Sequence, residues 1–194
     1  MKIIPELDRR PLLVAVAGPN GAGKTTFYHS HVAPAAFRYV SADVLARELN
    51  LEAYAAAKAA DVLRRRLLAQ RESFAFETVF SDPAGDKPEF LKAAAASGYI
   101  VVLCFIGLAD FRLCEERVAM RVSQGGHDVP VEKLKTRFPR TLANLKAAIG
   151  ALPLVYVFDN SDLRAPFRKV AVFRNRRPAE KPTFTPAWFK ELLL

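Results

Sequence analysis

A glycine-rich stretch near the start of the chain, GPNGAGKTT at positions 18–26, has the residues and spacing to hold a nucleotide phosphate. It fits the pattern G-x-x-x-x-G-K-[ST], in which backbone N–H groups surround an anion, the lysine reaches the β- and γ-phosphates and the hydroxyl ligates Mg²⁺. An apolar run precedes it and a helical pattern follows, which argues against a turn that binds nothing. The predicted phosphate-binding loop comprises Gly18, Pro19, Asn20, Gly21, Ala22, Gly23, Lys24, Thr25 and Thr26.

Two acidic residues stand where other apolar runs end. Asp43 follows the run in YVSAD, and Glu77 with Thr78 closes the run in FAFETVF. Beside a phosphate-binding loop, Asp43 could accept the proton of an acceptor hydroxyl or orient Mg²⁺, and the alternative is a helix cap, which Ser41 also suits. Glu77 and Thr78 are interpreted as a substrate-contact pair, since an unpaired carboxylate is costly to bury.

Arg117 and Arg121 are four residues apart in a helical pattern and therefore share one helix face. Such arginines could clamp a transferring phosphoryl group. The alternative is that they pair with Glu115 or Glu116 on a solvated surface.

The flexible stretch QGGHDVP follows this helix and predicts a small lid at about 122–130. A lid that closes over a nucleotide would exclude water from the reaction. His127 is a candidate lid contact or an exposed loop histidine, and Arg137 and Arg140 on the next helix are weaker candidates.

Short apolar runs alternate with helical patterns along the chain, and most runs are continuous, as in strands buried on both faces of a parallel sheet. This order predicts a doubly wound α/β fold with a mostly parallel sheet, flanking helices and ligands at the carboxyl ends of the strands. Pro139 is expected to break or kink the last long helix. The predicted strands are LLVAVAG, FRYVSAD, SFAFETVF, YIVVLCFIGL, LVYVFDNS and KVAVFRN. The FDNS sequence suits adenine-side contacts or a turn.

The composition predicts one domain over residues 1–194, with an extended strap at about 175–194 that ends in a short helix. Apolar residues make up 51% and charged residues 25%, as in ordinary globular proteins. No apolar run has the roughly 18 residues of a membrane span, so we expect a cytoplasmic protein without membrane contact. Cys104 and Cys114 are expected to be reduced packing residues.

The net charge of +9 makes nucleic acid a candidate partner, although solvated helix faces, charged edge strands and a site for phosphates also account for basic residues. No RNP-like aromatic motif, zinc-finger spacing or basic zipper is present in the sequence. Nucleic acid is therefore disfavoured. The alternative function is a P-loop ATPase or switch that acts with nucleic acid or a protein partner, and YIVVLCFIGL, which ends without a motor-type acidic residue, counts against it.

The loop, Asp43, Glu77–Thr78 and the arginine helix together resemble the zeta-toxin kinases from about Leu12 to Ser161. The resemblance implies a P-loop kinase fold related to adenylate and shikimate kinases, with ATP and Mg²⁺ bound. For the best-known branch it implies phosphorylation of the 3′-hydroxyl of the amino sugar in UDP-N-acetylglucosamine, and it also implies an antitoxin-like partner that covers the nucleotide site.

In residue terms, the resemblance implies that Asp43 accepts the proton, that Glu77–Thr78 contacts the sugar nucleotide and that Arg117 is the first phosphate clamp. The toxins' second arginine lies in the lid, where this chain has GGHDVP, so Arg121, Arg137 or His127 substitutes for it or the clamp is incomplete. The motifs are most similar to a compact stand-alone branch. The leading hypothesis is an ATP-dependent small-molecule kinase.

Overall fold

A computed structural model describes residues 3–125 and 128–193. Over these residues the chain forms one sheet whose strands are β1 (Leu12–Ala17), β2 (Arg38–Val40), β3 (Phe74–Thr78), β4 (Ile100–Gly107), β5 (Leu154–Asp159), β6 (Arg168–Arg174) and β7 (Arg177–Pro178). Their order is β2-β3-β1-β4-β5-β6-β7, with β1 to β5 parallel and the last two antiparallel. Each predicted strand is present, and the prediction of a mostly parallel sheet is confirmed.

The helices fill the connections between strands. They are α1 (Lys24–Phe27), α2 (Ala42–Glu48), α3 (Ala53–Ala69), α4 (Asp86–Ala96), α5 (Phe111–Ser123), α6 (Val131–Ala151) and α7 (Ala187–Leu193). A π-helical turn, Tyr28–Val32, continues α1, and short 3-10 helices lie at Pro5–Asp8 and Ala33–Ala35.

Two helix predictions differ from the structure. The sequence at 42–70 has one continuous helical pattern and predicts a single helix. It forms α2 and α3 as separate helices, because Asn50 between them adopts a left-handed conformation with φ 49°. The helix around Pro139 does not break, and α6 runs through that position. Proline removes one backbone hydrogen bond, whereas α6 is held along its length by the buried side chains of Leu134, Leu145 and Ala148.

Both faces of the sheet are covered, which explains why the strands are continuously apolar. One face packs against α3, α4, α6 and α7, and the other packs against α1, the π-helical turn and α5. Cys104 and Cys114 are buried and free of disulfide bonds, as predicted. Burial raises the pKa of the Cys114 thiol to about 12, so this residue is a packing group.

The C-terminal segment is more structured than the predicted extended strap. Asn175 and Arg176, both with positive φ, turn the chain into β7, and the segment then ends in α7 as expected. Trp188, Phe189 and Leu192 of α7 are buried against the sheet. Among the described residues, no helix combines the length and apolar character needed to cross a bilayer.

Candidate active site

The carboxyl ends of the parallel strands meet at one edge of the sheet. Ala17 of β1 lies beside Thr78 of β3, and Gly107 of β4 lies beside Asp159 of β5. The phosphate-binding loop leaves β1 at this edge and passes into α1, whose N-cap is Gly23. The polar residues that follow the other strands therefore surround the loop.

Helix α5 packs directly against the loop at Gly21. Gly21 has φ +76°, and a Cβ at this position would lie 3.0 Å from Arg117 Cβ and 3.1 Å from the Cys114 carbonyl oxygen. Glycine is required here both for its conformation and for the close approach of the helix.

Gly21→Ala is expected to lower the free energy of unfolding more than Gly85→Ala does. Gly85 has a similar φ of +73° but faces open space, so its substitution costs only the left-handed conformation, about 1–2 kcal/mol. Gly21→Ala adds about 1–3 kcal/mol for displacing α5. Chemical denaturation of both variants measures the difference, and equal losses would contradict the close packing of loop and helix.

The ammonium group of Lys24 is the electrostatic centre of the site. Its Nζ donates a hydrogen bond to the Pro19 carbonyl oxygen at 2.9 Å. Burial lowers the pKa of Lys24, the negative charges of Glu77 and Asp43 oppose that effect, and Arg121 adds to it. The sequence-predicted charges at positions 43, 77 and 121 therefore lie close enough to act on the loop lysine.

Glu77 faces the phosphate-binding loop. Its carboxylate accepts hydrogen bonds from Thr25 Oγ1 at 2.9 Å and from Ser41 Oγ at 2.6 Å. The phenol of Tyr39 lies beside this cluster, and burial together with the Glu77 charge raises the pKa of Tyr39. Ser41 and Tyr39 are site neighbours that the sequence analysis did not assign to this cluster.

Strand alternation separates Glu77 from Thr78. Ala75 packs on the α1 face of the sheet and Phe76 on the opposite face, so Glu77 belongs to the first face and Thr78 to the second. The Thr78 hydroxyl accepts a hydrogen bond from the Phe80 N–H at 3.1 Å. The structure thus does not bring the predicted Glu77–Thr78 pair together on one wall of the site.

Asp43 lies in the first turn of α2 and is exposed. Ser41 is the N-cap of this helix and accepts a hydrogen bond from the Val44 N–H at 3.4 Å. The cap interpretation of Asp43 is therefore wrong, and its carboxylate is available at the edge of the site.

The two arginines of α5 reach different parts of the site. Arg117 Nη2 donates to the Ser161 carbonyl oxygen at 3.0 Å, beyond the end of β5, and burial lowers its pKa. Arg121, one turn further along, acts on Lys24. Arg117 is thus on the β5 side, and Arg121 is on the side of the lysine.

Residues 122 and 123 of the predicted lid at 122–130 belong to α5, which continues to Ser123, and α6 begins at Val131. The lid itself stays a prediction. His127 lies outside the described residues. Arg140 Nε donates to the Thr136 carbonyl oxygen at 3.0 Å on the exposed surface of α6, and Arg137 on the same helix is half-buried.

The sequence profile of the AAA domain family matches residues 13–137. The chain belongs to this family. The matched region contains the loop, Asp43, Glu77 and both arginines of α5. No curated protein matches the sequence significantly.

Solved structures similar to this AAA domain show its fold. A crystal structure of AvrRxo1-ORF1:-ORF2 with ATP aligns with a TM-score of 0.71 and 17% identity over 90% of this chain, which spans 61% of that one. The PezAT toxin–antitoxin system of Streptococcus pneumoniae aligns at 0.55 with 15% identity, covering 95% of this chain and 79% of that one. A putative kinase from Chloroflexus aurantiacus aligns with a TM-score of 0.55 and 19% identity, covering 79% of this chain and 90% of that one. The AAA domain thus has the predicted P-loop kinase fold.

Asn160, which lies outside the matched region, also supports the loop. It is buried, its Nδ2 donates to the Ala22 carbonyl oxygen at 2.9 Å, and its Oδ1 accepts from the Phe167 N–H at 3.3 Å. The sequence signal for this role was FDNS, which suggested base contacts or a turn. In the structure, Asn160 instead ties the end of β5 to the phosphate-binding loop.

The oxygen atoms around Thr25 fit Mg²⁺. A hydroxyl and the Glu77 carboxylate oxygen lie 2.9 Å apart, and hard oxygen donors are the groups that Mg²⁺ prefers together with phosphates and water. Residues 3–125 and 128–193 contain no cluster of three or more His, Cys, Asp or Glu side chains able to hold a metal without such help. The arrangement therefore suits a metal that arrives with a nucleotide.

Proposed function

We propose that the protein is an ATP-dependent kinase that transfers the γ-phosphate to a hydroxyl group of a small molecule. The observation that carries the proposal is the Glu77 carboxylate on the loop residue Thr25 at 2.9 Å. The charges of Asp43 and Arg121, which act on Lys24 of the same loop, support it. A loop that only held a nucleotide would need the lysine and the glycines. The exposed carboxylate and the arginine beside them are the groups that phosphoryl transfer to a hydroxyl requires.

Asp43 is the proposed general base. It accepts the proton of the acceptor hydroxyl, the acceptor oxygen forms the new bond to the γ-phosphorus, and the bond to the β-phosphate oxygen breaks to release ADP. Its exposure at the start of α2 leaves room for an acceptor to approach from solvent.

Thr25 and Glu77 are the proposed residues on the Mg²⁺ side of the site. Bound Mg²⁺ would neutralise charge on the β- and γ-phosphates. Glu77 holds the Thr25 hydroxyl, and Ser41 in turn holds Glu77. This assignment differs from the sugar-contacting role that the family resemblance implies for Glu77, and Thr78 keeps that role as a prediction.

Arg121→Ala is expected to lower turnover by about 10- to 100-fold while weakening ATP binding less, because charge that develops on the transferring group is stabilised mainly in the transition state. Steady-state kinetics and calorimetric titration with ATP separate the two effects. Arg112→Ala, at an exposed position of the same helix, is the control and should match wild type. A change in turnover below about threefold, less than 1 kcal/mol, would place Arg121 outside the clamp.

The proposed acceptor class is a sugar nucleotide such as UDP-N-acetylglucosamine or a related metabolite. It is supported by the resemblance to zeta toxins and by the fold shared with the PezAT toxin–antitoxin system. Incubation with ATP, Mg²⁺ and a panel of nucleotide sugars, nucleosides and sugars should yield one phosphorylated product detected by mass spectrometry. ATP binding without any product would contradict the proposal, and hydrolysis stimulated by DNA or RNA would support the alternative ATPase.

We also propose an antitoxin-like protein partner that covers the nucleotide site. The proposal rests on the same resemblance and on the toxin–antitoxin system named for PezAT. Purification from the native host should recover a second protein whose removal restores ATP binding. Recovery of a lone chain that binds ATP freely would contradict it. The expected cytoplasmic location stays a prediction.

A further inference from the structure

The C-terminal helix α7 is seated on the edge of the sheet that carries the site. The Trp188 ring packs against the backbone at Gly107, the last residue of β4, where an added Cβ would come within 2.1 Å of Trp188 Cζ2. Any side chain at position 107 would therefore displace the tryptophan. Helix α7 is thus fixed at the carboxyl end of β4, one strand away from the phosphate-binding loop.

Trp188 donates a hydrogen bond to a buried carboxylate at the end of β5. Its Nε1 lies 2.7 Å from Asp159 Oδ1, which also accepts from Ser161 Oγ at 2.7 Å. The backbone N–H of Ser161 donates to Asp159 Oδ2 at 3.2 Å. Burying a carboxylate costs free energy unless hydrogen-bond donors surround it. Trp188 is one of the donors that lower this cost for Asp159.

Ser161 and Asp159 also interact with Arg117, an arginine of the site. The Ser161 carbonyl oxygen accepts the hydrogen bond from Arg117 Nη2 at 3.0 Å, and the Asp159 charge also acts on Arg117. Arg117 in turn packs against Gly21 of the loop. A continuous path of contacts therefore joins α7 to the phosphate-binding loop through β5 and α5.

We infer that Trp188 is a positioning residue for nucleotide binding, acting through Asp159 and Ser161 on Arg117. While Trp188 and Ser161 satisfy the Asp159 carboxylate, Arg117 stays on the Ser161 carbonyl oxygen at the rim of the site. Loss of the indole N–H removes one of the three donors that the described residues supply to the Asp159 carboxylate, and the less compensated charge draws the Arg117 guanidinium into a direct ion pair and away from the nucleotide. The inference rests on the proposed function in that ATP binds at the loop within reach of Arg117.

Trp188→Phe keeps an aromatic ring on Gly107 and removes the donor. We expect it to weaken ATP binding by about three- to tenfold, because a hydrogen bond to a charged group is worth about tenfold or more and part of this is transmitted to Arg117. In an Arg117→Ala background the same change should have no further effect. Calorimetric titration with ATP on the wild type, the two single variants and the double variant measures the coupling between Trp188 and Arg117 in ATP binding.

Phe189→Leu is the matched control, since Phe189 is buried in α7 beside Trp188 and the hydrogen bonds around Asp159 do not include it. It should lower the melting temperature and leave ATP affinity unchanged. Equal loss of ATP affinity in Phe189→Leu and Trp188→Phe would show that α7 acts through stability alone and would overturn the inference.

The intact protein provides an independent test, because Trp188 is the sole tryptophan of the chain and its fluorescence reports on α7 without a label. ATP should change the Trp188 emission with the affinity that calorimetry gives. ATP binding with unchanged emission would overturn the inference and leave the kinase proposal intact. A change in emission without any phosphorylated product in the acceptor panel would support the inference and contradict the kinase proposal.

Discussion

Asp43→Asn is expected to bind ATP with nearly wild-type affinity and to lose phosphotransfer by about 10²–10⁴-fold, the usual contribution of a general base. The amide keeps the shape of the side chain but cannot accept the acceptor's proton. Because Ser41 caps α2, the substitution leaves the capping hydrogen bond of the helix in place. Initial rates of product formation measure phosphotransfer, and calorimetric titration with ATP measures the affinity.

The control for this variant is Glu48→Gln, which removes an exposed carboxylate from the other end of the same helix. It should transfer phosphate at the wild-type rate. Near-normal phosphotransfer by Asp43→Asn would contradict the base assignment. A large loss of Mg²⁺-dependent ATP binding would instead assign Asp43 to the metal.

Lys24→Ala is expected to abolish ATP binding and turnover while the protein stays folded. The substitution removes the ammonium group that reaches the β- and γ-phosphates and leaves the glycine backbone of the loop in place. Burial lowers the pKa of this half-buried lysine, and nucleotide phosphates would stabilise its positive charge. Replacing it with a methyl group should not lower the melting temperature.

Calorimetric titration with ATP and a thermal melt test this variant together. Lys146→Ala, an exposed position of α6, is the control and should bind ATP as wild type does. Wild-type turnover in Lys24→Ala would mean that the loop has been assigned the wrong role.

Much of the fold could be predicted because continuous apolar runs bounded by turns identify buried parallel strands. The phosphate-binding loop was predictable for the same local reason, since its pattern and its flanks are adjacent in sequence. The break at Asn50 was missed because the helical pattern continues on both sides of this residue, and only the structure shows its positive φ.

The site was predicted in part. Strand alternation alone separates Glu77 from Thr78, so this separation could have been found in the sequence. The register of β2 against β3, which brings Tyr39 and Ser41 to the face of Glu77, could not. The hydrogen bond from Trp188 to Asp159 could not, because 29 residues separate the two and no pattern links them. From the sequence, Asp159 and Asn160 suggested base contacts. In the structure Asp159 accepts a hydrogen bond from α7, and Asn160 donates one to the phosphate-binding loop.

The central claim is that the edge formed by Lys24, Asp43 and Arg121 transfers phosphate from ATP to a hydroxyl group. Phosphorus NMR of a reaction containing the protein, ATP, Mg²⁺ and the acceptor panel tests it most directly. Equal amounts of ADP and a new phosphomonoester are expected from the wild-type protein. Asp43→Asn should form both about 10²–10⁴-fold more slowly. Release of ADP with only inorganic phosphate, unchanged by the acceptors, would contradict it.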